Sequence, residues 1–474
     1  MKRLTIIAVL FCAITAQGQF AISKGQESRD MDHERLSAAT YIGTYDDQTL
    51  WVSATRRGWG LEIANADMDR VLATEVHYPH TELLAATHAD DTVTLLLADR
   101  SESKRTDVAL ARHYADGTLR VDTVVTFAHA KKDRCLLWGA VSPSGNHIGL
   151  CAVVEYTERQ AYSAVMYLFT AGGDLVFRRE FALGTMDQLA VTDDGRMATL
   201  GMEQEGNVLH LIFNYADINH AETAEATVKC EQPRDMRIVN VVGNHLVAIG
   251  TVEGSGFRGA ELYCGGDLAL SYNLDSAKLE GFSIRPFMNE DINIFYNKPT
   301  KKVQRDPLAE HVTPLTTVAM PYGGVMATGR NFEKLSTADN GTEEHSFSRV
   351  GIHLVAVDTN GSFLWVRNLR RNDFQKGDAE LLTLGLAAMG DTLLAIKSEH
   401  RKYPASYEIG KAAKQLKMGD KSNLVLYTVT ADGTVEKNIL EAKTKHSFLR
   451  LTPQCDIITV RGSRLRDIKL SRLQ

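Results

Sequence analysis

The residues best suited to chemistry form a basic, aromatic set late in the chain. Arg401 and Lys402 precede Tyr403 and Tyr407. Lys411, Lys414, Lys417 and Lys421 follow, against only Glu408 and Asp420. Cationic heads interleaved with phenol rings suit carboxylate-bearing partners or sugar faces, because charge and a flat apolar ring are offered together. The plainer reading is a solvated loop with a short amphipathic helix, since Lys411, Lys414 and Lys417 recur at helical spacing. Arg56, Arg57 and Trp59 form a second candidate group. Arg and Trp concentrate binding energy at interfaces, although Trp59 packed inside the core is the alternative. These seven residues (Arg56, Arg57, Trp59, Arg401, Lys402, Tyr403 and Tyr407) are the expected binding residues, for a protein, peptide or glycan.

No catalytic residue can be assigned. There is no Gly-x-Ser-x-Gly elbow, so the strained serine turn of a hydrolase domain is missing. Neither His-Glu-x-x-His nor Cys-x-x-Cys occurs, and the fifteen histidines, His88, His113 and His147 among them, are scattered, so no metal site is expected. Aspartate-rich turns such as Asp193-Asp194-Gly195 lack the regular oxygen spacing of a calcium loop and read as turn formers. No cofactor is expected. Paired carboxylates contributed by distant segments would leave no linear trace. An enzyme of hydrolase or lyase type therefore stands as the alternative to a binding protein.

The 474 residues carry a net charge of -6 and a pI near 6.2, which gives no electrostatic footprint for nucleic acid. Lys2 and Arg3, then the apolar run Leu4 to Ala16, then Ala16-Gln17-Gly18 read as a signal peptide over residues 1–18, cleaved before Gln19. Phe11 before Cys12 is too large for a lipidation motif. A secreted or periplasmic mature chain, 19–474, is expected to form a single domain with no transmembrane segment. Five of the six cysteines follow residue 18, an odd count. Cys135 and Cys151 flank a turn and could face each other; the plainer reading is two buried thiols acting as small apolar groups.

The elements that must position these groups are strands. Gly351 to Leu369 is an apolar strand, an Asn-Gly turn at 360–361 and a second strand with Phe363 and Trp365. Similar turns recur at 115–119, 171–175, 264–268 and 431–435, so the chain is a repeat. A second series of turns (46–47, 90–91, 144–146, 193–195, 243–244, 323–324, 390–391 and 454–456) precedes further apolar strands. Small residues such as Ala85, Ala86, Gly139, Ala140, Ala387 and Ala388 come just before several of them, as suits strands crowded at an axis. Each unit is strand, turn, strand, loop, strand, turn, strand: the four-stranded antiparallel blade of an all-β propeller. The units fall near 37–78, 81–128, 134–184, 186–230, 235–276, 313–370, 380–441 and 445–474. That gives eight blades, with seven as the alternative. The last unit has only three strands, and Phe20 to Ser23 is expected to supply the fourth. Glu27 to Leu36 reads as a charged helix.

The unit at 351–369 also resembles the repeat of pyrroloquinoline-quinone-type propellers. The match is Leu354, Val355, Ala356, Val357, Asp358, Gly361, Phe363, Leu364 and Trp365. The turns at Gly173 and Gly433 keep the pattern and lose the Trp. The resemblance implies an eight-bladed fold and a family that holds both quinone-dependent oxidoreductases and a non-catalytic envelope scaffold. It carries no cofactor or catalytic residue onto this chain.

Blade topology places both sets of tight turns on one face. The longer connections, at 155–161, 279–312, 331–349 and 400–421, then project from the other. Loops held by a rigid scaffold are the usual carriers of binding. The expectation is an exported, non-catalytic propeller that binds through its long-loop face, with a propeller enzyme (hydrolase, lyase or quinone-type oxidoreductase) acting at the channel mouth as the alternative.

Overall fold

The computed structural model describes residues 27–28, 41–45, 48–55, 57–65, 70–78, 81–89, 91–131, 133–156, 161–181, 188–230, 233–252, 256–258, 261–263, 265–297, 312–337, 343–376, 383–402, 413–417, 420–451, 456–461 and 468–473. Among these residues eight sheets of four or five strands can be counted, with one extra two-stranded hairpin. In chain order the blades run from Tyr41 to Val76, Thr81 to Ala128, Arg134 to Phe181, Gln188 to Lys229, Pro233 to Pro286, Val312 to Lys376 and Gly385 to Thr444. The eighth runs from His446 to Arg472. The first strands of successive blades lie next to one another, so the sheets radiate from a common axis. The fold is a β-propeller.

The strand sequences show why the sheets stack face to face. Second and third strands are buried along nearly their whole length, as in Thr92–Asp99 and Ser422–Val429. Fourth strands alternate in exposure, as in Ala221–Lys229, because they form the rim. A sheet whose middle strands are apolar on both faces has to be covered on both faces. Each successive pair of blades, from the first to the eighth, shares an apolar core. Ala85, Ala86, Gly139, Ala140, Ala387 and Ala388 sit on inner strands, as their size requires. A Cβ on Gly139 would lie 2.6 Å from the Leu84 carbonyl oxygen of the preceding blade.

The last sheet joins both ends of the described chain. His446–Leu451, Asp456–Arg461 and Ile468–Arg472 supply three strands, and Glu27–Ser28 pairs antiparallel with Ile468 and Lys469 as the fourth. The N-terminal closing strand is thus Glu27–Ser28, so the helix expected from Glu27 does not begin there. Residues 29–36, the signal segment and Phe20 to Ser23 lie outside the described residues.

Two other expectations change, and for Cys135 and Cys151 the plainer reading holds. The turn at 264–268 is not the outer hairpin of the fifth blade. Gly266 opens the third strand, Gly266–Asn273, and the outer turn is at 274–277, where Ala277 takes a positive φ of 52°. The fifth blade therefore ends at Pro286, and the connection to the sixth holds the helix Asn289–Tyr296. The segment 331–349 is not a loop. Gly323–Thr337 and Glu343–Asp358 pair from Gly323↔Asp358 out to Thr337↔Glu343, so the sixth blade extends into a long hairpin. Lastly, Cys135 and Cys151 are not opposite each other: Cys135 pairs in register with Val154, and Cys151 with Trp138. Both are buried free thiols, with burial pushing the Cys135 thiol up in pKa.

The recurring turn has a common physical form. At Asp358 to Ser362 the Gly361 N–H donates to the Asp358 carbonyl (3.1 Å), and the Asp358 N–H donates to the Ser362 carbonyl (2.9 Å). The Asp358 carboxylate also accepts from the N–H groups of Asn360 and Ser362. The same pair of backbone bonds closes the turns around Gly117, Gly173, Gly195 and Gly433. Gly361 has φ +75°, and a Cβ there would lie 2.9 Å from backbone atoms of Leu270 and Ser271 in the fifth blade. Gly117 has φ +84° and open space around it. Gly361→Ala should therefore cost about 2–4 kcal/mol, from left-handed strain plus a clash, against about 1 kcal/mol for Gly117→Ala. Urea unfolding should show midpoint shifts in that order with an unchanged slope.

Candidate functional site

The expected binding residues divide on inspection. Trp59 is a core residue, 4% exposed, packed between the first and second blades with its Nε1–H donating to Thr81 Oγ1 at 2.9 Å. Its apolar ring fills the seam, so it is withdrawn from the binding set. Arg57 is exposed in the adjoining bend, where its backbone N–H donates to Thr55 Oγ1. Arg401 and Lys402 are exposed just after the strand Thr392–His400. Arg57 and this pair belong to the first and seventh blades and do not form one described cluster. Arg56, Tyr403 and Tyr407 lie outside the described residues.

The basic run also folds otherwise than its spacing implies. Leu416–Lys417 is a strand that pairs in parallel with Asp373 and Phe374, adding a fifth strand to the sixth blade. Ala413 and Leu416 are buried against that blade, while Lys414 and Lys417 stay exposed. An edge strand offers unpaired backbone groups, and this segment satisfies some of them. The insertion from the seventh blade thus straps back onto the sixth.

A cavity of about 480 Å³ opens among the inner strands of the third to sixth blades, at the tight-turn end. Its walls are small or apolar, as at Ala140, Ala190 and Ala319, and its polar groups are already engaged. Arg196 donates to Asp194, Asn244 Oδ1 (3.0 Å) and the Gly243 carbonyl (2.8 Å). Asp193 accepts from the Ser144 N–H at 2.7 Å, and the Asn240 amide donates to the carbonyls of Met320 and Gly323. These bonds tie neighbouring blades together around the channel mouth.

Sequence reasoning missed two buried polar networks in the seams flanking the sixth blade. The first centres on His353, which has no exposed surface. Its Nε2 lies 3.0 Å from Asp267 of the fifth blade, and its Nδ1 is 2.7 Å from the Asn368 side-chain oxygen and 3.5 Å from Asp291 on the helix. Arg285 bridges the two carboxylates at 2.9 and 2.8 Å. Phe287 and Phe295 pack on the imidazole with ring centroids 5.5 Å away. Burial opposes a charged imidazole, but the Asp267 and Asp291 charges outweigh it and raise the His353 pKa. Burial likewise opposes ionised Asp291, and His353, Asn368 and Arg285 together hold it below the usual carboxylate range.

The second network joins the sixth and seventh blades. Glu399 accepts from Lys397 (2.9 Å), Lys437 (2.6 Å) and the Tyr427 hydroxyl. Lys397 also donates to the Arg370 carbonyl at 2.7 Å. Burial would raise the Glu399 carboxyl, yet the two ammonium charges outweigh it and hold it at about 2. Burial, aided by the charges of Lys397 and Arg370 and opposed by Glu399, lowers the Lys437 pKa. On the fourth strand of the sixth blade Arg371 pairs with Asp373 at 2.6 Å. The sequence signal was present: Lys397 and Glu399 continue the alternation of Leu393 and Ala395, whose side chains face the sixth blade. A charge in phase with a buried stripe marks a buried partner.

No protein-family model matches the chain, and no curated protein matches it. Solved structures do resemble it. The Dos1 propeller is 6% identical with 95% of each chain covered and a TM-score of 0.49. The WD40 domain of SCAP from fission yeast is 7% identical, with 95% of this chain and 97% of that one covered, at a TM-score of 0.42. The propeller domain of the Trilobed protease from Pyrococcus furiosus is 9% identical, with coverages of 86% and 98%, at a TM-score of 0.34. The likeness is one of fold. It adds nothing to the resemblance between the 351–369 unit and quinoprotein repeats.

Among the described residues no cluster of three or more His, Cys, Asp or Glu side chains is arranged to hold a metal ion. The two networks instead make testable demands on stability. Glu399 sits below its ordinary value of 4.5, so its contribution is complete above that pH and is lost as pH falls toward about 2. It should be worth roughly 3 kcal/mol at neutral pH. Glu399→Gln should lose about that much and flatten the acid limb of stability in urea titrations at stepped pH. His353 has the opposite sign. Its raised pKa makes its contribution complete below 6.5 and lost as pH climbs through the raised value. Wild-type stability should therefore decline above pH 6.5 through this group, and His353→Gln should lack that part of the decline.

Proposed function

We propose that this chain is an exported, non-catalytic propeller that binds a protein, peptide or glycan through its long-loop face. The observation that carries the reading is where the fold departs from a minimal propeller. The helix Asn289–Tyr296, the two-stranded hairpin Gly256–Arg258 with Glu261–Tyr263, the long hairpin of the sixth blade and the Leu416–Lys417 strap all belong to connections on that one face. The other face is made of tight turns, and its cavity has its charges tied up between blades. Added structure on one side of a rigid ring is what a recognition surface requires. Export rests on the signal-like residues 1–18. No helix among the described residues is long and apolar enough to cross a membrane.

The test shortens the hairpin. Replacing residues 333–347 by a Gly-Ser turn leaves the blade up to Phe332 and Ser348, which pair in register. Pull-downs from the cell envelope and a glycan array would be run with the mature chain and this variant. A ligand bound by the mature chain and lost by the folded variant is the expected result. Identical capture by both would overturn the assignment of the face.

A further inference from the structure

Arg370 is an anomaly in the seam between the sixth and seventh blades. It is 8% exposed, yet its Nε and Nη2 atoms are buried and have no hydrogen-bond partner among the described residues. Those two N–H groups lie along one edge of the guanidinium. They point the same way, in parallel, as the fork that takes two oxygens of one oxyanion. Arginine cannot shed its proton to escape burial. The nearby carboxylates are already committed: Asp373 to Arg371, and Glu399 to Lys397, Lys437 and Tyr427. The seam therefore gathers Arg370, Lys397 and Lys437, of which Glu399 answers the two lysines. A buried cation without a counter-charge is costly, whereas the same cation becomes favourable once an anion fills its fork.

We propose that the Nε/Nη2 edge of Arg370, supported by the charge of Lys397, binds a tetrahedral oxyanion. The bound group is phosphate or sulfate, free or as the ester group of a larger ligand. Arg370 lies on the strand Phe363–Lys376, three to four residues before the point where the strap joins the sheet. The site thus sits at the base of the elaborated face. Other buried arginine edges differ. Arg112, for example, has only Nε unpartnered, because its Nη groups donate to Gly172 and Asp122. The inference rests on reading that face as the binding face. Its own readout is the purified chain with a small anion, so it can fail while partner capture succeeds, and the reverse.

Thermal unfolding of the full chain would be followed with inorganic phosphate, sulfate, a sugar phosphate and acetate, at ionic strength matched with chloride. Phosphate and sulfate stabilise most proteins by surface exclusion, so each response is compared with that of Arg370→Met. Phosphate or sulfate should raise the wild-type midpoint saturably, by roughly 2–3 °C at a hundredfold excess over the dissociation constant. The response should be absent from the Met variant, which in chloride should be at least as stable as wild type. A larger response to the sugar phosphate than to phosphate would support the site and show that the anion arrives as an ester. An equal response of wild type and Met variant to all anions would overturn the proposal. So would a destabilised Met variant with no phosphate response in wild type, the mark of a carboxylate of the chain already in the fork. If Arg370→Met does not fold, Arg370→Lys keeps the charge and loses the fork. It should weaken phosphate binding at least tenfold, and unchanged affinity would overturn the proposal equally.

Discussion

Everything in this molecule follows from sheets that are apolar on both faces. A strand such as Thr92–Asp99, buried from Val93 to Ala98, has nowhere to put its two rows of side chains except against two other sheets. Stacking satisfies that need, and the natural twist of the sheets turns the stack around an axis. The inner strands then crowd, which selects alanine and glycine. The fourth strands reach the rim, which permits exposed Leu119, Val121 and Leu175 beside charged neighbours. Because a stack has two ends, the eighth sheet takes Glu27–Ser28 from the start of the chain. Parting the first blade from the last would then mean breaking that pairing.

The sixth blade departs from this uniform packing. Its seams contain His353 with two carboxylates on one side and the Glu399 triad on the other, where the remaining seams are lined chiefly by apolar cores. Buried ion pairs seldom add stability over a well-packed apolar substitute, because desolvation offsets the attraction. They do penalise mispairing, since a shift of one residue would strand a charge in an apolar seam. That property has a use here. The sixth blade carries the long hairpin and receives the strap, so it bears elements that extend beyond the ring. Fixing its position against the fifth and seventh blades keeps the added surface in a defined place.

Much of the ring was legible in the sequence, because turns and apolar runs are local. The glycines at 117, 173, 361 and 433 mark outer turns, and seven of the eight units match the observed sheets to within about six residues at each end; the fifth, ended at 276, leaves out its outer strand Lys278–Pro286. What failed was long-range. The Gly-Gly at 265–266 looks like its neighbours, but it begins a strand whose partner, Lys278–Pro286, was read as loop. Asn331 to Arg349 has only Phe332, Leu335 and Phe347 as large apolar residues, too few for a buried strand's stripe, so it passed for a loop. Lys411, Lys414 and Lys417 have helical spacing, yet the edge of the sixth blade takes Leu416–Lys417 as a strand. Trp59 carries the same composition signal whether it faces a partner or a core. Pairings such as His353 with Asp267, 86 residues apart, leave no local trace at all.

The two ends of the ring therefore differ in kind. At the tight-turn end the polar groups of each blade are spent on its neighbour: Arg196 reaches the fifth blade, Asn240 the sixth, and Asp193 accepts from Ser144 of the third. Such bonds neutralise the mouth of the cavity and leave few donors facing inward. At the other end the seam between the sixth and seventh blades holds Arg370, whose Nε and Nη2 have no hydrogen-bond partner among the described residues. Net charge on the whole chain is -6. An acidic protein that collects arginine and lysine in one seam has arranged them against its own average. The arrangement that relieves the cost is a negative group supplied from outside the ring.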